Sequence, residues 1–180
     1  EYKVFGSFDD IPARAFFNIQ TDLECRKQWD KLIIDLNVID RDINSGCEVI
    51  QWIMHFPYPM YSREYLFVRK CVVDHEKKMM IMMSRATQHP NCPVKDKYVR
   101  VSSFRSHLVL KPHTTFDENG FDYVLTYFDD PQAAIPSPAY NWMASTGVPD
   151  FVDKMHNTAK SFHEGQYGRS TDHGNNTCLM

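Results

Sequence analysis

No run of apolar residues in the 180-residue chain is longer than about five, the longest being Met79–Met83. No helix of it is therefore long and apolar enough to cross a bilayer, which takes roughly 20 such residues. A basic block is missing too. Lysine and arginine together number 20 against 23 acidic residues, for a net charge of −3, which excludes the electrostatic footprint of a nucleic-acid binder. Glycine is scarce, at 7 residues, and none forms a phosphate-cradling loop. There is no G-x-S-x-G, no H-E-x-x-H and no C-x-x-C. The eight histidines stand singly, so no metal site and no catalytic constellation is indicated. The five cysteines are odd in number and widely spaced, as reduced thiols in a cytosol-like compartment would be. The ending Thr-Cys-Leu-Met leaves two residues after Cys178 where prenylation needs three, and Asn175-Asn176-Thr177 matches a glycosylation sequon by chance. Glu1 opens the chain within a strand-like run, which leads us to expect further residues before it.

What the chain does have is apolar material, 43% of its residues, enough to bury one core in one domain. Residues 2–8 read as a strand. Residues 11–31 read as a helix with Ile11, Phe16, Ile19 and Leu23 on one face and Asp10 before Pro12 as its cap. Six strands follow, at about 33–42, 47–56, 62–74, 78–88, 97–111 and 120–129, separated by turn sequences such as DINSG, DHEKK and DENG. Short connections between them predict an antiparallel meander. Val148, Phe151, Val152, Met155, Ala159 and Phe162 then mark one face of a C-terminal helix, which Gly147 and Pro149 should interrupt or kink near its start. Residues 166–180 are polar and read as a loose tail. The predicted class is α+β, a long curved antiparallel sheet with a helix covering one face.

Two strands depart from clean alternation. Ile50, Trp52, Met54 and Phe56 share one face of 47–56, yet the other face is largely apolar at its middle; in 79–86 both faces are apolar and rich in methionine. Either both faces are covered or the sheet curls around apolar cargo, to which flexible thioethers conform well. Ordinary core packing accounts for the same pattern. In "CRKQWDK" (25–31) Arg26 and Asp30 stand four apart on one helical face. They read either as a solvated pair worth a few tenths of a kcal/mol or as an arginine held by a carboxylate and aimed inward at an anion, where its planar fork suits phosphate. Trp52, Tyr65 and Phe104 lie at mid-strand on three strands. Converging, they would suit a quaternary ammonium; packed separately, they are core.

The segments "EYKVFG", "CRKQWD", "HFPYPMYSREYLFVR", "VRVSSF", "NGFDYVLTYFDDP" and "NWMASTGVPDF" together resemble the START (StAR-related lipid-transfer) family, in particular its phosphatidylcholine-transfer branch, over residues 1–163. The resemblance implies a helix-grip fold, in which a nine-stranded curved sheet grips the C-terminal helix around a tunnel holding one lipid. The family's N-terminal helix and first two strands would precede Glu1, and a chain without them would carry an exposed sheet edge. Residues 1–165 would form the lipid-transfer domain. Matched position by position, Arg26 would bind the lipid phosphate with Asp30 as its partner, and Trp52, Met54, Tyr65, Phe104 and Ser106 would form the choline cage. Phe104 stands where the branch has tyrosine and Ser106 where it has glutamine, which would loosen head-group discrimination. Tyr58, Met60, Tyr61, Val148, Phe151, Val152 and Met155 would form the gate and touch membrane.

The function expected is that of a monomer carrying one phosphatidylcholine between membranes, through transient contact with their surfaces and without nucleic acid, metal or covalent chemistry. Its place would be the cytoplasm and mitochondria. A lipid- or sterol-sensing module without net transfer is the alternative.

Overall fold

In the computed structural model, residues 1–56, 60–130 and 148–165 are described. Strand β1 (Tyr2–Pro12) leads into helices α1 (Ala13–Thr21) and α2 (Leu23–Trp29). Strands β2 (Ile33–Asp42), β3 (Cys47–Met54), β4 (Arg63–Asp74), β5 (Met79–Ala86), β6 (Val99–Val101), β7 (Phe104–Pro112) and β8 (Asn119–Asp129) follow, then helix α3 (Val148–His163). The eight strands form one sheet in the order β1-β8-β7-β5-β4-β3-β2, with β6 beside β4. Every pairing is antiparallel except β4 with β6. The class is the predicted α+β, and the order is the predicted meander with its first strand returned beside its last.

Three details differ from expectation. The helix expected over 11–31 is two helices. Asp22 has an extended backbone, and its carboxylate accepts the Glu24 and Cys25 N–H groups at 2.9 and 3.0 Å, starting α2 afresh. Asp10 is not a cap, because β1 runs on to Pro12; its carboxylate instead accepts from His156 and Lys160 of α3. The strand expected over 97–111 is broken at Ser102-Ser103. Its first part, β6, runs parallel to Arg63–Tyr65, beyond the point where β5 stops at Ala86, and so satisfies a stretch of β4 that would otherwise be an edge.

The turns explain the tight register. Asp42 and Cys47 pair across residues 43–46, where Gly46 takes φ +68° and Asp42 accepts from Asn44 N–H and Ser45 Oγ. Gly120, at φ +106°, lies under the His113 ring at the start of β8, where a Cβ would collide with it.

The concave face carries two apolar clusters. One joins Met80, Met82, Leu108, Leu110, Phe121 and Tyr123 of the sheet to Phe16 and Ile19 of α1, Trp29 of α2 and Val152, Met155 and Ala159 of α3. Each such side chain contributes roughly 1.5–3 kcal/mol on burial. The periodicity of α3 is thus read correctly: Val152, Met155 and Ala159 are buried while Asp150, Asp153, Lys154 and Asn157 are exposed. Pro149 sits in the first turn of α3, where its missing N–H costs nothing, so the helix starts there without the expected kink; Gly147 lies outside the described residues, as does the tail 166–180. The second cluster comprises Leu36, Ile50, Trp52, Tyr65, Phe67, Val101 and Phe104, bordered by Met54 and Tyr127.

Candidate functional site

The second cluster owes its composition to register. Trp52 pairs with Tyr65, and Met54 with Arg63, across β3 and β4. Phe104 pairs with Asp129, and Ser106 with Tyr127, across β7 and β8. Period-two alternation then sends all of these side chains to the concave face. Curvature brings together rings from strands that are not neighbours. Trp52 stacks on Tyr65 at 5.0 Å, Tyr65 meets Phe104 edge-on at 5.4 Å, and Phe104 meets Tyr127 at 5.6 Å. Phe67 lies 5.3 Å from Phe104. The three rings singled out by sequence therefore converge, and Phe67 and Tyr127 join them. Met54 borders the group, and Ser106 is half-buried between Ser84 and Tyr127 in the register.

Arg26 reaches this cluster from α2. Its Cζ lies 4.8 Å from the centroid of the Trp52 ring and 5.9 Å from that of Trp29. Asp30, at the C-terminal end of α2, holds it loosely through one Nη2–Oδ2 contact of 3.7 Å, while its other oxygen accepts the Leu32 N–H at 3.2 Å. Asp30 is buried and Arg26 nearly so, their side chains 6% and 15% exposed, which removes the solvated surface-pair reading. Burial pulls the Arg26 pKa below its ordinary value, and nearby Arg69 adds to this while Asp30 opposes it. The Nε of Arg26 and the Nε1 of Trp52 are both buried N–H donors without an acceptor among the described residues. Two such donors side by side, one of them charged, form a site for an anionic or strongly accepting group.

Arg69 is the contrasting case. Its side chain is 6% exposed, yet its donors are occupied by Glu48 at 2.7 Å and by the Thr21 and Gln20 carbonyls at 2.9 and 3.4 Å, which closes the C-terminal end of α1. Arg63 lies over the Phe56 ring at 4.5 Å and donates to the Tyr61 carbonyl.

Sequence reasoning passed over Tyr127 and Asp129. The Tyr65 and Tyr127 hydroxyls both donate to Asp129 Oδ2, at 2.7 and 3.1 Å. Their i, i+2 spacing in "YFD" was the available signal, since it places both on one face of a strand. The gate candidates are spread out. Tyr61 is three-quarters exposed, Met60 is half-buried, Phe151 lies 5.9 Å from Trp29, and Val152 and Met155 are buried in the first cluster. Tyr58 lies outside the described residues, as does the side chain of Val148. Between α2 and α3 a cleft of about 550 Å³ opens, lined by Trp29, Asp153, Lys154 and Thr158 among others. Among the described residues no group of three or more histidine, cysteine or acidic side chains is arranged to hold a metal ion.

Human StAR-related lipid transfer protein 7, mitochondrial, is 53% identical over 156 residues, which cover 87% of this chain and 42% of that protein. The chain thus spans less than half of that relative's length. Bovine phosphatidylcholine transfer protein is 33% identical over 156 residues, covering 86% of this chain and 70% of that protein. In three dimensions the crystal structure of human STARD10 superposes with a TM-score of 0.76 at 21% identity, covering 91% of this chain and 64% of that one. The family model of the START domain matches residues 1–165, and the chain belongs to the START family.

Proposed function

We propose that residues 1–165 form the lipid-binding unit of a transfer protein. It extracts one phosphatidylcholine, shields its acyl chains under the sheet and delivers it to another membrane, mitochondrial membranes among its destinations. The observation that carries this reading is Arg26, a nearly buried guanidinium whose Nε has no acceptor among the described residues, set against an aromatic cluster. A choline phospholipid pairs a phosphate with a trimethylammonium that cannot donate a hydrogen bond. The phosphate needs a cation with free donors, as Arg26 and Trp52 offer, and the ammonium needs ring faces. Asp30 lessens the cost of burying Arg26 through a loose Nη2 contact that leaves its Nε unoccupied among the described residues. The acyl chains need only apolar volume, which the methionine- and phenylalanine-rich sheet face supplies. Similarity to a phosphatidylcholine transfer protein and to a mitochondrial lipid-transfer protein supports the head group and the destination.

The protein acts as a monomer in transient contact with membrane surfaces. Its work is physical transport, with no covalent step. Lipid enters by displacement of α3, a reading the cleft between α2 and α3 supports; residues 57–59 of the expected gate lie outside the described residues. The test is vesicle-to-vesicle transfer of labelled phosphatidylcholine by the full protein. Arg26→Ala and Trp52→Ala should each abolish transfer while far-UV circular dichroism stays unchanged. Transfer at the unaltered rate in both variants overturns the head-group assignment.

A further inference from the structure

A carboxylate, Asp129, is hydrogen-bonded to two tyrosines of the aromatic cluster that Arg26 borders. Asp129 pairs with Phe104 across β7 and β8, and its Oδ2 accepts from Tyr65 Oη at 2.7 Å and from Tyr127 Oη at 3.1 Å. It is partly buried, and among the described residues it makes no ion pair with an arginine, lysine or histidine. A partly buried carboxylate held by two phenols presents negative charge to the cluster and favours a cationic ligand placed against it. Two phenols fix the carboxylate in place rather than neutralising it. Burial first, and the Asp129 charge next, push the Tyr65 hydroxyl well above its usual pKa; Tyr127 is pushed up mainly by burial, with Tyr65 and Asp129 adding to it. Both hydroxyls therefore stay protonated as donors.

The order of charges across the cluster is the informative feature. Arg26 lies against the Trp52 ring, Trp52 stacks on Tyr65, and the Tyr65 hydroxyl binds Asp129. A positive group and a negative group thus stand at opposite ends of a pair of stacked rings. A zwitterionic head group, with its phosphate at Arg26 and its ammonium over the rings toward Asp129, would run antiparallel to this internal dipole. A phenol donating to a carboxylate is also more electron-rich, which strengthens the attraction of its ring face for a cation.

We infer that Asp129, positioned by Tyr65 and Tyr127, is the anionic wall of the head-group site and the residue that makes the site read the charge of the bound head group rather than its shape. The inference rests on the proposed choline-lipid reading and adds to it the means of discrimination. Neutral lipids with the same bulk would fill the rings but leave Asp129 without a counter-charge.

The experiment compares two lipids of nearly equal shape, phosphatidylcholine and its 3,3-dimethylbutyl isostere, in which an uncharged carbon replaces the nitrogen. Their binding by the full protein is measured by competition from vesicles containing both. The unaltered protein should prefer the choline lipid, and Asp129→Asn should lower that preference about tenfold, the scale of one cation–carboxylate contact at a part-buried site. Tyr127→Phe keeps the ring, loosens the carboxylate and should lower the preference by a smaller factor. It carries the test if Asp129→Asn does not fold. A preference unchanged in the folded variants overturns the role of Asp129. Equal binding of the two lipids by the unaltered protein overturns the choline-cage reading itself.

Discussion

Three arginines near the sheet's concave face should respond to substitution in three different ways. Arg69 is 6% exposed and its donors are taken up by Glu48, Gln20 and Thr21. Arg69→Met would leave the α1 carbonyls unsatisfied and Glu48 with only Arg41 as its partner. Breaking a buried pair from one side costs about 3–5 kcal/mol. For a chain of this size that lowers Tm by roughly 6–20 °C, at 2–4 °C per kcal/mol. Arg41, 59% exposed, contributes less than about 1 kcal/mol through the same carboxylate. Arg26 is nearly as buried as Arg69, but its Nε has no acceptor among the described residues and its ion pair is loose at 3.7 Å. Its desolvation offsets most of what the pair with Asp30 contributes, so Arg26→Met should change lipid-free stability by no more than about 1–2 kcal/mol. What it should lose is stabilisation by ligand, about 2.7 kcal/mol for a lipid present at 100 times its Kd. Urea unfolding of Arg69→Met, Arg41→Met and Arg26→Met, with and without short-chain phosphatidylcholine, measures all of this. The reasoning fails if Arg26→Met destabilises the lipid-free protein as much as Arg69→Met, or if Arg69→Met costs less than about 1 kcal/mol.

Two further outcomes follow from groups away from the rings. The Lys160 and His156 hydrogen bonds hold the Asp10 carboxyl down at about 2, from 3.8, so the link between β1 and α3 is present above pH 3.8 and lost as pH falls toward 2. Asp10→Asn should therefore destabilise by about 1 kcal/mol or less at pH 5, the side chains being partly exposed, with the difference shrinking as pH falls from 3.8 through about 2 in urea titrations. Burial pushes the Cys25 thiol up to about 12, so it should resist iodoacetamide at pH 8 in the native protein and react in urea, as read by peptide mass spectrometry; rapid native labelling would contradict its burial on the inner face of α2.

The elements legible in the sequence were those that local periodicity specifies. The face of α3 was clear because Val152, Met155 and Ala159 follow a 3.6-residue repeat, and β2 and β4 because turn residues bound them. Asp10 misled because Asp-x-Pro carries the same local signal at a strand end as at a helix start, and β1's long-range pairing with β8 decided between them. The parallel β6 was invisible for a similar reason. Three residues can be claimed by β4 only once β5 has ended at Ala86. Alternation placed Trp52 and Tyr65 inside strands, as found, but Phe104 opens β7 instead of lying at mid-strand, and no local pattern showed that β3, β4 and β7 curl far enough for their rings to touch. Tyr127 and Asp129 were missed because their face depends on the β7–β8 register, which no local pattern sets. The burial of Arg26 was equally undecidable from α2 alone, since an i, i+4 pair looks the same on a wet face and a dry one.

Native mass spectrometry of the full protein after exposure to vesicles of mixed cellular lipids, with extraction and identification of what co-purifies, bears most directly on the central claim. The account predicts one bound lipid per chain, carrying a choline phosphate head group, and its absence from Arg26→Ala. A chain that emerges without lipid, or that carries a sterol or another neutral lipid in place of a choline phospholipid, would contradict it.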